Sequence, residues 1–452
     1  MSTYPLPGKT EDAGSTVKEQ RRPRRLHEFL VGYWWLSATL FGLAVLFVLL
    51  RGQVLHQPFP FNTFLFRPEA RFSDLTDYIE RFERFQQPAF YAERGFHSAD
   101  LPFAYGPPMA VLFWFWFSVF KHPVAAFIVL AFIVAAALTA LVLTFIFWRC
   151  LLRRNISVPV AVAFAITTVL TSYPLMIVLD RANAELFVWI ASSAALIAMV
   201  RRRWWLAATF VAFATSLKYF PLVLFALLIA RKKWRELAWG ILLTIGLSLT
   251  CLWIMGPTFG MAASSFVGNF RRMNDFNLFV DRPLEVGLQH SLFSVIRQLM
   301  FALTPWTNSA SNPDLSWVQA RPLDNVYFYY QIVVAIAAIV LYFLVIRKLP
   351  ILNQMIALTV CCVLLPGWSG DYTLLHLYVP WGLLALWIID HPEQTKLRLL
   401  WCLLPFAVIF TPQPYLIVGI RGFSGQLKAM ALLTLLIAAL CVPLREEALD
   451  SA

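Results

Sequence analysis

The sequence predicts an all-α integral membrane protein, a polytopic bundle of about 12 transmembrane helices whose long external loops carry amphipathic helices. The first observation is composition: 60% of the 452 residues are hydrophobic and 14% are charged, a balance typical of membrane-spanning chains and of no soluble domain. The second is that apolar stretches alternate with short loops rich in Arg and Lys, and such loops stay cytoplasmic. The third is the net charge of +12, which this rule and attraction to anionic lipid explain without nucleic acid.

Basic clusters set the predicted topology. They are Arg21–Arg25, Arg149–Arg154, Arg201–Arg203, Arg231–Arg235, Arg347–Lys348 and Lys396–Arg398. With all of them inside, both termini are cytoplasmic and the chain is a multi-pass protein of the cytoplasmic membrane. Residues 1–28 are then a disordered cytoplasmic tail, and residues 29–445 form one polytopic membrane domain with long external loops at 51–108 and 257–325.

The spans follow in order from the apolar stretches. They lie near residues 29–50, 124–148, 157–175, 184–200, 236–256, 326–346, 351–366, 373–389, 398–412 and 424–443. Two other regions do not fit this pattern, because residues 109–120 are too short for one span and residues 204–230 are too short for two. We expect residues 109–120 to form a half-helix that dips in from outside. Residues 204–230 lie between two basic clusters, and one long helix there would place one cluster outside and reverse the orientation of every later span. We therefore expect two short helical segments that meet near Lys218.

A polar turn interrupts the apolar region between residues 156 and 200. Asp180, Arg181, Asn183 and Glu185 fall within six positions, between the predicted spans 157–175 and 184–200. In the predicted topology this turn lies at the external membrane surface. At the bilayer centre each charge would cost roughly 2.5–3.5 kcal/mol.

The first external loop contains a predicted amphipathic helix, "RFSDLTDYIERFERF", at residues 71–85. Its apolar residues recur at helical spacing, which favours a helix lying on the membrane surface. Asp77 has Arg81 four residues on, as in an ordinary surface ion pair, and is a secondary candidate for the site. Asp74 has no such partner on this helix. It is either an acid favoured by the positive helix N-terminus or a general base at a membrane-facing cleft.

Further ionisable residues are predicted at the same external face. They are Lys218, Arg271, Arg272, Asp371 and Arg421, with His290 and His376 as secondary candidates. Each could be a satisfied interhelical pair, but as a set they would suit an anionic head group reached from the lipid. The sequence has no Walker, GxGxxG, HExxH, CxxC or GxSxG motif, so nucleotide-driven transport and zinc hydrolysis lose their simplest support.

Several short motifs together resemble a known family. The turn Asp180-Arg181-Ala182-Asn183-Ala184-Glu185 is followed by a basic loop, by Lys218-Tyr219-Phe220-Pro221 and by a second basic loop. This order resembles the polytopic membrane glycosyltransferases of the GT-C superfamily, and most closely the polyprenol-phosphate-sugar-dependent mannosyl- or arabinofuranosyltransferase-like proteins of glycosyltransferase family 87. Further matches are Asp74 followed by Tyr105–Pro108, the segment Gln289–Leu292, and Pro366–Tyr372. The chain departs from the pattern at Ala182, where Gly is common, and at Asp371, where His is frequent.

The resemblance implies a reaction and assigns roles. A hexose or pentose on a polyprenyl phosphate enters from the outer leaflet, and an acceptor hydroxyl attacks the anomeric carbon with inversion. Asp74 would be the base, and Lys218, Arg181 and either Arg271 or Arg272 would stabilise the departing phosphate. Four other residues would bind sugar hydroxyls or orient the cations: Asp180, Asn183, Glu185 and Asp371. Tyr105 is a further candidate for binding the substrate or its phosphate.

The implied partners are a polyprenyl-phosphate-linked sugar donor, a lipid or glycan acceptor and membrane lipid, with no nucleic acid. No cofactor and no metal ligands are predicted, although dependence on a divalent metal stays open. Two alternatives also stay open. One is a flippase or transporter of lipid-linked sugars, and the other is a non-catalytic membrane scaffold of cell-envelope assembly.

Overall fold

The structure is a computed structural model. It describes residues 103–119, 173–275, 289–303, 313–390, 400–410 and 424–444, and single residues between 46 and 138 that include Asp74, Phe85, Phe90 and Tyr91. Contacts divide the chain into two units, and every described residue belongs to the unit formed by residues 46–138 and 172–452. The predicted tail 1–28 and most of the predicted spans 29–50, 124–148 and 157–175 lie outside the described residues.

The regular elements of the described residues are helices, which confirms the all-α prediction. The α-helices are α1 (Pro107–Val119), α2 (Tyr173–Arg181), α3 (Glu185–Val200), α4 (Trp204–Leu217), α5 (Phe225–Ala230), α6 (Trp234–Ile254), α7 (Phe259–Asp275), α8 (Leu292–Leu303), α9 (Pro313–Leu344), α10 (Ile351–Leu364), α11 (Tyr378–Asp390), α12 (Leu400–Phe410) and α13 (Ser424–Cys441). Short 3-10 helices cover Phe220–Leu224, Ile346–Lys348 and Asp371–Leu377. The count of about 12 spans stays a prediction.

Two of the described helices are long and apolar enough to cross a membrane, Trp234–Ile254 and the segment Val326–Lys348. Only 17% of the most apolar window of each is buried inside the protein. Large apolar side chains such as Leu242 and Trp253 therefore point outward, with 67% and 73% of their surface exposed. A core helix of a soluble protein would bury such residues, so these faces fit helices that contact lipid.

The region between two basic loops is a broken helix, as the sequence predicts. Helix α4 ends at Leu217, Lys218 has extended backbone angles of −155° and 142°, and the 3-10 helix that follows contains Pro221. Proline lacks the N–H that a continuing helix needs, and in a continuous helix its ring would clash with the carbonyl group of Leu217, four residues earlier. The break therefore falls at the Lys-x-x-Pro sequence.

The broken helix returns the chain to the end of the bundle where it began. Lys233, just before α6, holds its ammonium nitrogen 5.4 Å from the centre of the Trp204 ring at the start of α4. Both basic loops therefore lie at one end of the bundle. The turn 180–185 and Lys218 lie at the other ends of α3 and α4.

The segment before α1 is joined to this break by a close backbone contact. The amide of Gly106 donates to the carbonyl oxygen of Leu217 at 2.8 Å. A Cβ atom at position 106 would lie 2.0 Å from the carbonyl oxygen of Ser216, so only glycine permits this approach. The contact places the loop of Tyr105 beside Lys218.

The C-terminal half departs from the predicted bounds in two places. The predicted span 373–389 begins as the buried 3-10 helix Asp371–Leu377, and α11 follows only from Tyr378. Helix α9 begins at Pro313, inside the predicted external loop 257–325, because the polar segment before its apolar part is helical too. The same loop region contains helices α7 and α8, in line with the prediction of helices in the external loops.

Candidate active site

The polar turn between α2 and α3 presents several functional groups from a few residues. Helix α2 ends at Arg181, and Ala182 has a φ of 52°, in the left-handed region. This conformation costs a residue with a Cβ roughly 1–2 kcal/mol, which is a physical reason for the glycine that is common at this position of the resembled pattern. The side-chain oxygen of Asn183 accepts from the backbone amide of Glu185, the first residue of α3, at 2.9 Å and satisfies one of the free N–H groups at the start of this helix.

Asp74 is bound to this turn, although it comes more than one hundred positions earlier in the chain. The guanidinium group of Arg181 donates two hydrogen bonds to the carboxylate. One runs from Nη2 to Oδ1, and the other runs from Nε to Oδ2 at 3.0 Å. The side-chain nitrogen of Asn183, Nδ2, donates to Oδ2 of Asp74 at 2.6 Å. The Tyr105 hydroxyl donates to Oδ1 of Asn183 at 2.8 Å. Asp74, without a predicted partner on its own helix, thus has two partners from the turn.

Lys218 forms the second half of the site. Its ammonium group donates to Oε2 of Glu185, and Nε2 of His376 lies 2.8 Å from the other oxygen, Oε1. The Glu185 side chain is completely buried, whereas Lys218 keeps 13% of its side-chain surface exposed. Three aromatic rings surround the ammonium group at 5.1–5.4 Å: those of Tyr105, Phe220 and Tyr372. The buried carboxylate is thus compensated by two partners, and the cation is held in one place.

Two residues join these halves into one site. Tyr105 bonds Asn183 through its hydroxyl while its ring faces Lys218. The side-chain amide of Asn183 donates to Asp74 through its nitrogen and accepts from the backbone amide of Glu185 through its oxygen. The result is a pair of carboxylates and a pair of cations around one turn, with the outer surfaces of Arg181 and Lys218 accessible.

A second polar cluster is buried in the interior. Nδ1 of His290 lies 3.2 Å from Oδ1 of Asp371, and the Lys428 ammonium group lies 3.7 Å from Oδ2 of the same carboxylate. The hydroxyls of Ser369 and Thr373 lie 3.2 and 3.3 Å from Nε2 of His290. Burial lowers the pKa of His290, although Asp371 opposes the shift. A neutral His290 ring fits this arrangement, with Nδ1–H donating to Asp371 and Nε2 accepting from a hydroxyl group.

This cluster bears on the predicted role of Asp371. The side chains of His290, Asp371 and Lys428 are at most 1% exposed. Their placement favours an interhelical pair over a sugar-binding group for Asp371. Lys428 was not among the predicted site residues. It could have been found as the one charged residue in the predicted span 424–443.

The other candidates fall in different places. Asp180 is completely buried at the end of α2. Arg271 and Arg272 lie on α7, but the structure does not describe their side chains, and Asp77 and Arg421 lie outside the described residues. His376, a secondary candidate, is a partner of Glu185. In the part of the chain that the structure describes, no three His, Cys, Asp or Glu side chains form a group that could hold a metal ion.

Comparison with known proteins identifies a family. The sequence profile of glycosyltransferase family 87 matches residues 103–369, more than half of the chain. No curated protein and no solved structure matches. The matched region contains Tyr105, the turn and Lys218, whereas Asp74 precedes it and His376 follows it. From this match, the chain belongs to glycosyltransferase family 87.

Proposed function

We propose that the protein transfers a hexose or pentose from a polyprenyl-phosphate donor to an acceptor hydroxyl, with inversion, at the external face of the cytoplasmic membrane. Membership of the family supplies the reaction class, a glycosyl transfer. One observation carries the finer proposal: a carboxylate, Asp74, and two cations, Arg181 and Lys218, converge on the same turn at one end of an apolar bundle.

The two cations suit a phosphate leaving group. As the bond between the anomeric carbon and the phosphate oxygen breaks, negative charge develops on that oxygen. Charge-assisted hydrogen bonds from Lys218 and Arg181 would stabilise it. Glu185 and His376 would hold Lys218 in position, because Glu185 joins the two side chains.

The surroundings of Lys218 suit a lipid-linked donor. Tyr219 and Leu222, directly after the helix break, expose 38% and 54% of their surface. Apolar side chains that are exposed beside a cation let a polyprenyl chain stay in lipid while its phosphate reaches the ammonium group. A water-soluble nucleotide sugar would need no such surface.

Asp74 is the proposed general base. The acceptor hydroxyl oxygen forms a bond to the anomeric carbon while the carbon–oxygen bond to phosphate breaks. The hydroxyl proton moves to the Asp74 carboxylate, and polyprenyl phosphate leaves as an anion. A single displacement of this kind inverts the anomeric centre. Asn183 and Tyr105 would hold the base in place through their hydrogen bonds.

The orientation follows from the basic loops. Residues 201–203 and 231–235 lie at the end of the bundle opposite the site. The positive-inside rule assigns such loops to the cytoplasm, which leaves the site at the external face.

A donor panel tests the proposal. Membranes that contain the protein are supplied with polyprenyl-phosphate pentoses and hexoses, nucleotide sugars and mixed membrane glycans as acceptors. We expect consumption of one polyprenyl-phosphate sugar, release of polyprenyl phosphate and an inverted linkage by NMR. Transfer from a nucleotide sugar without any use of the lipid-linked donors would contradict the proposal.

A further inference from the structure

The two cations of the site differ in how firmly they are held. Lys218 is bonded to Glu185, whose side chain is completely buried and has His376 as a second partner. Arg181 is bonded to Asp74, and its side chain is 25% exposed, against 13% for Lys218. Arg181 is therefore the cation that an incoming anion meets more readily.

The partner of Arg181 is the proposed base itself. Both oxygens of Asp74 accept hydrogen bonds from the guanidinium, and one of them also accepts from Asn183. A guanidinium that binds a carboxylate at both oxygens competes with an incoming hydroxyl group for the lone pairs of those oxygens. The same guanidinium is needed at the leaving phosphate. One side chain thus has two anionic partners in the reaction, and it holds one of them in the structure.

We propose that Arg181 is exchanged between these partners: it binds Asp74 until the donor arrives and then binds the donor phosphate, so that donor binding activates the base. This inference rests on the proposed function. Asn183 remains on Asp74 throughout and keeps the carboxylate aimed at the acceptor, because the Tyr105 hydroxyl and the Glu185 amide fix the other end of its side chain. Productive binding is then ordered, with donor before acceptor.

The exchange predicts that loss of the proposed base increases the affinity for phosphate. Neutralising the base should make the protein bind the phosphate more tightly, because the carboxylate competes with phosphate for Arg181. A charge-assisted contact that no longer has to be broken corresponds to about tenfold in the dissociation constant. A base that acts on the acceptor alone would leave donor affinity unchanged.

The experiment measures binding of farnesyl phosphate to the full-length protein in nanodiscs. We expect Asp74→Asn to bind about tenfold more tightly than the wild type. Arg181→Gln should bind more weakly, and the double variant should bind like Arg181→Gln alone. The double variant separates the exchange from a simple electrostatic effect of removing the Asp74 charge, since tighter binding caused by that effect would persist without Arg181. Asp74→Ser is the second variant if Asp74→Asn does not fold, as judged by thermal unfolding.

The outcomes separate this inference from the proposed function. Equal or weaker binding by Asp74→Asn, or tightening that persists without Arg181, overturns the exchange. If such a variant has also lost sugar transfer, the proposed function stands while the exchange falls. If Asp74→Asn retains wild-type transfer, Asp74 is not the base and the exchange is overturned, whereas transfer from a polyprenyl-phosphate donor is tested separately by the donor panel.

Discussion

Replacement of Lys218 by methionine tests the cation that lies at the helix break. Methionine keeps an unbranched side chain of similar length and removes the charge together with the N–H donors of the ammonium group. The structure predicts two separate losses. The first is stability, because the buried Glu185 carboxylate would keep His376 but lose its charged partner. The second is transfer, because the leaving phosphate would lose a charge-assisted bond.

Both magnitudes can be worked from the contacts. Breaking a buried ion pair costs about 3–5 kcal/mol. Lys218 is 13% exposed, so we expect the lower end of that range, about 3 kcal/mol. Loss of a donor to a developing oxyanion costs about 2.7–4 kcal/mol in the barrier, or 10²- to 10³-fold in rate.

A double variant separates the two losses. Lys218→Met combined with Glu185→Gln removes both charges, so most of the lost stability should return while transfer stays low. Thermal unfolding in detergent reports the first quantity, and transfer in membranes at matched expression reports the second. Lys232→Met, at an exposed position of the opposite basic loop, is the control and should change neither. Wild-type transfer by the stable double variant would refute the reasoning and leave Lys218 as a structural residue at the helix break.

Three further predictions follow from the same structure and sequence. Asp74→Asn should lower transfer by roughly 10²- to 10⁴-fold, whereas Asp77→Asn should cost only about 0.2–0.5 kcal/mol of helix stability; equal activity of the two variants would remove Asp74 from the mechanism. Cysteines placed at Glu93 and Asn312, both outside the described residues, should react with an impermeant reagent in intact cells; protection of both would refute the predicted topology. Because burial lowers the pKa of His290, the unfolded state binds the extra proton first as pH falls below about 6.5. Thermal stability should therefore drop between pH 7.5 and 5.5, and by less in His290→Gln; an equal drop in both would show that another group controls it.

The parts of the site that were predictable from sequence are local ones. The polar turn 180–185 stands out because charge is costly in apolar surroundings. The break at Lys218 follows from a proline three positions on and from two basic loops that are too close for full spans. Each of these signals lies within a few residues.

The pairing of the charges was not predictable. Asp74 meets Arg181 across 107 positions, and His376 meets Glu185 across 191. No periodicity links residues so far apart. The sequence identifies these residues as candidates, but it does not decide between one shared site and separate interhelical pairs. Lys428 shows the same limit, since a lone charge in an apolar helix predicts a partner without naming it.

The short first arm of the broken helix has a consequence for the depth of the chemistry. Helix α4 has 14 residues, which at 1.5 Å per residue reach about 21 Å. The hydrocarbon layer is about 30 Å thick. If the arm starts at the boundary that its basic loop occupies, Lys218 lies roughly 9 Å short of the opposite boundary. A phosphate that reaches Lys218 must then sink below the level of the surrounding head groups, or the bilayer must thin locally. With the proposed lipid-linked donor, we therefore expect the rate of transfer to depend on the acyl-chain length of the host lipid, because a thinner bilayer brings the donor phosphate closer to Lys218.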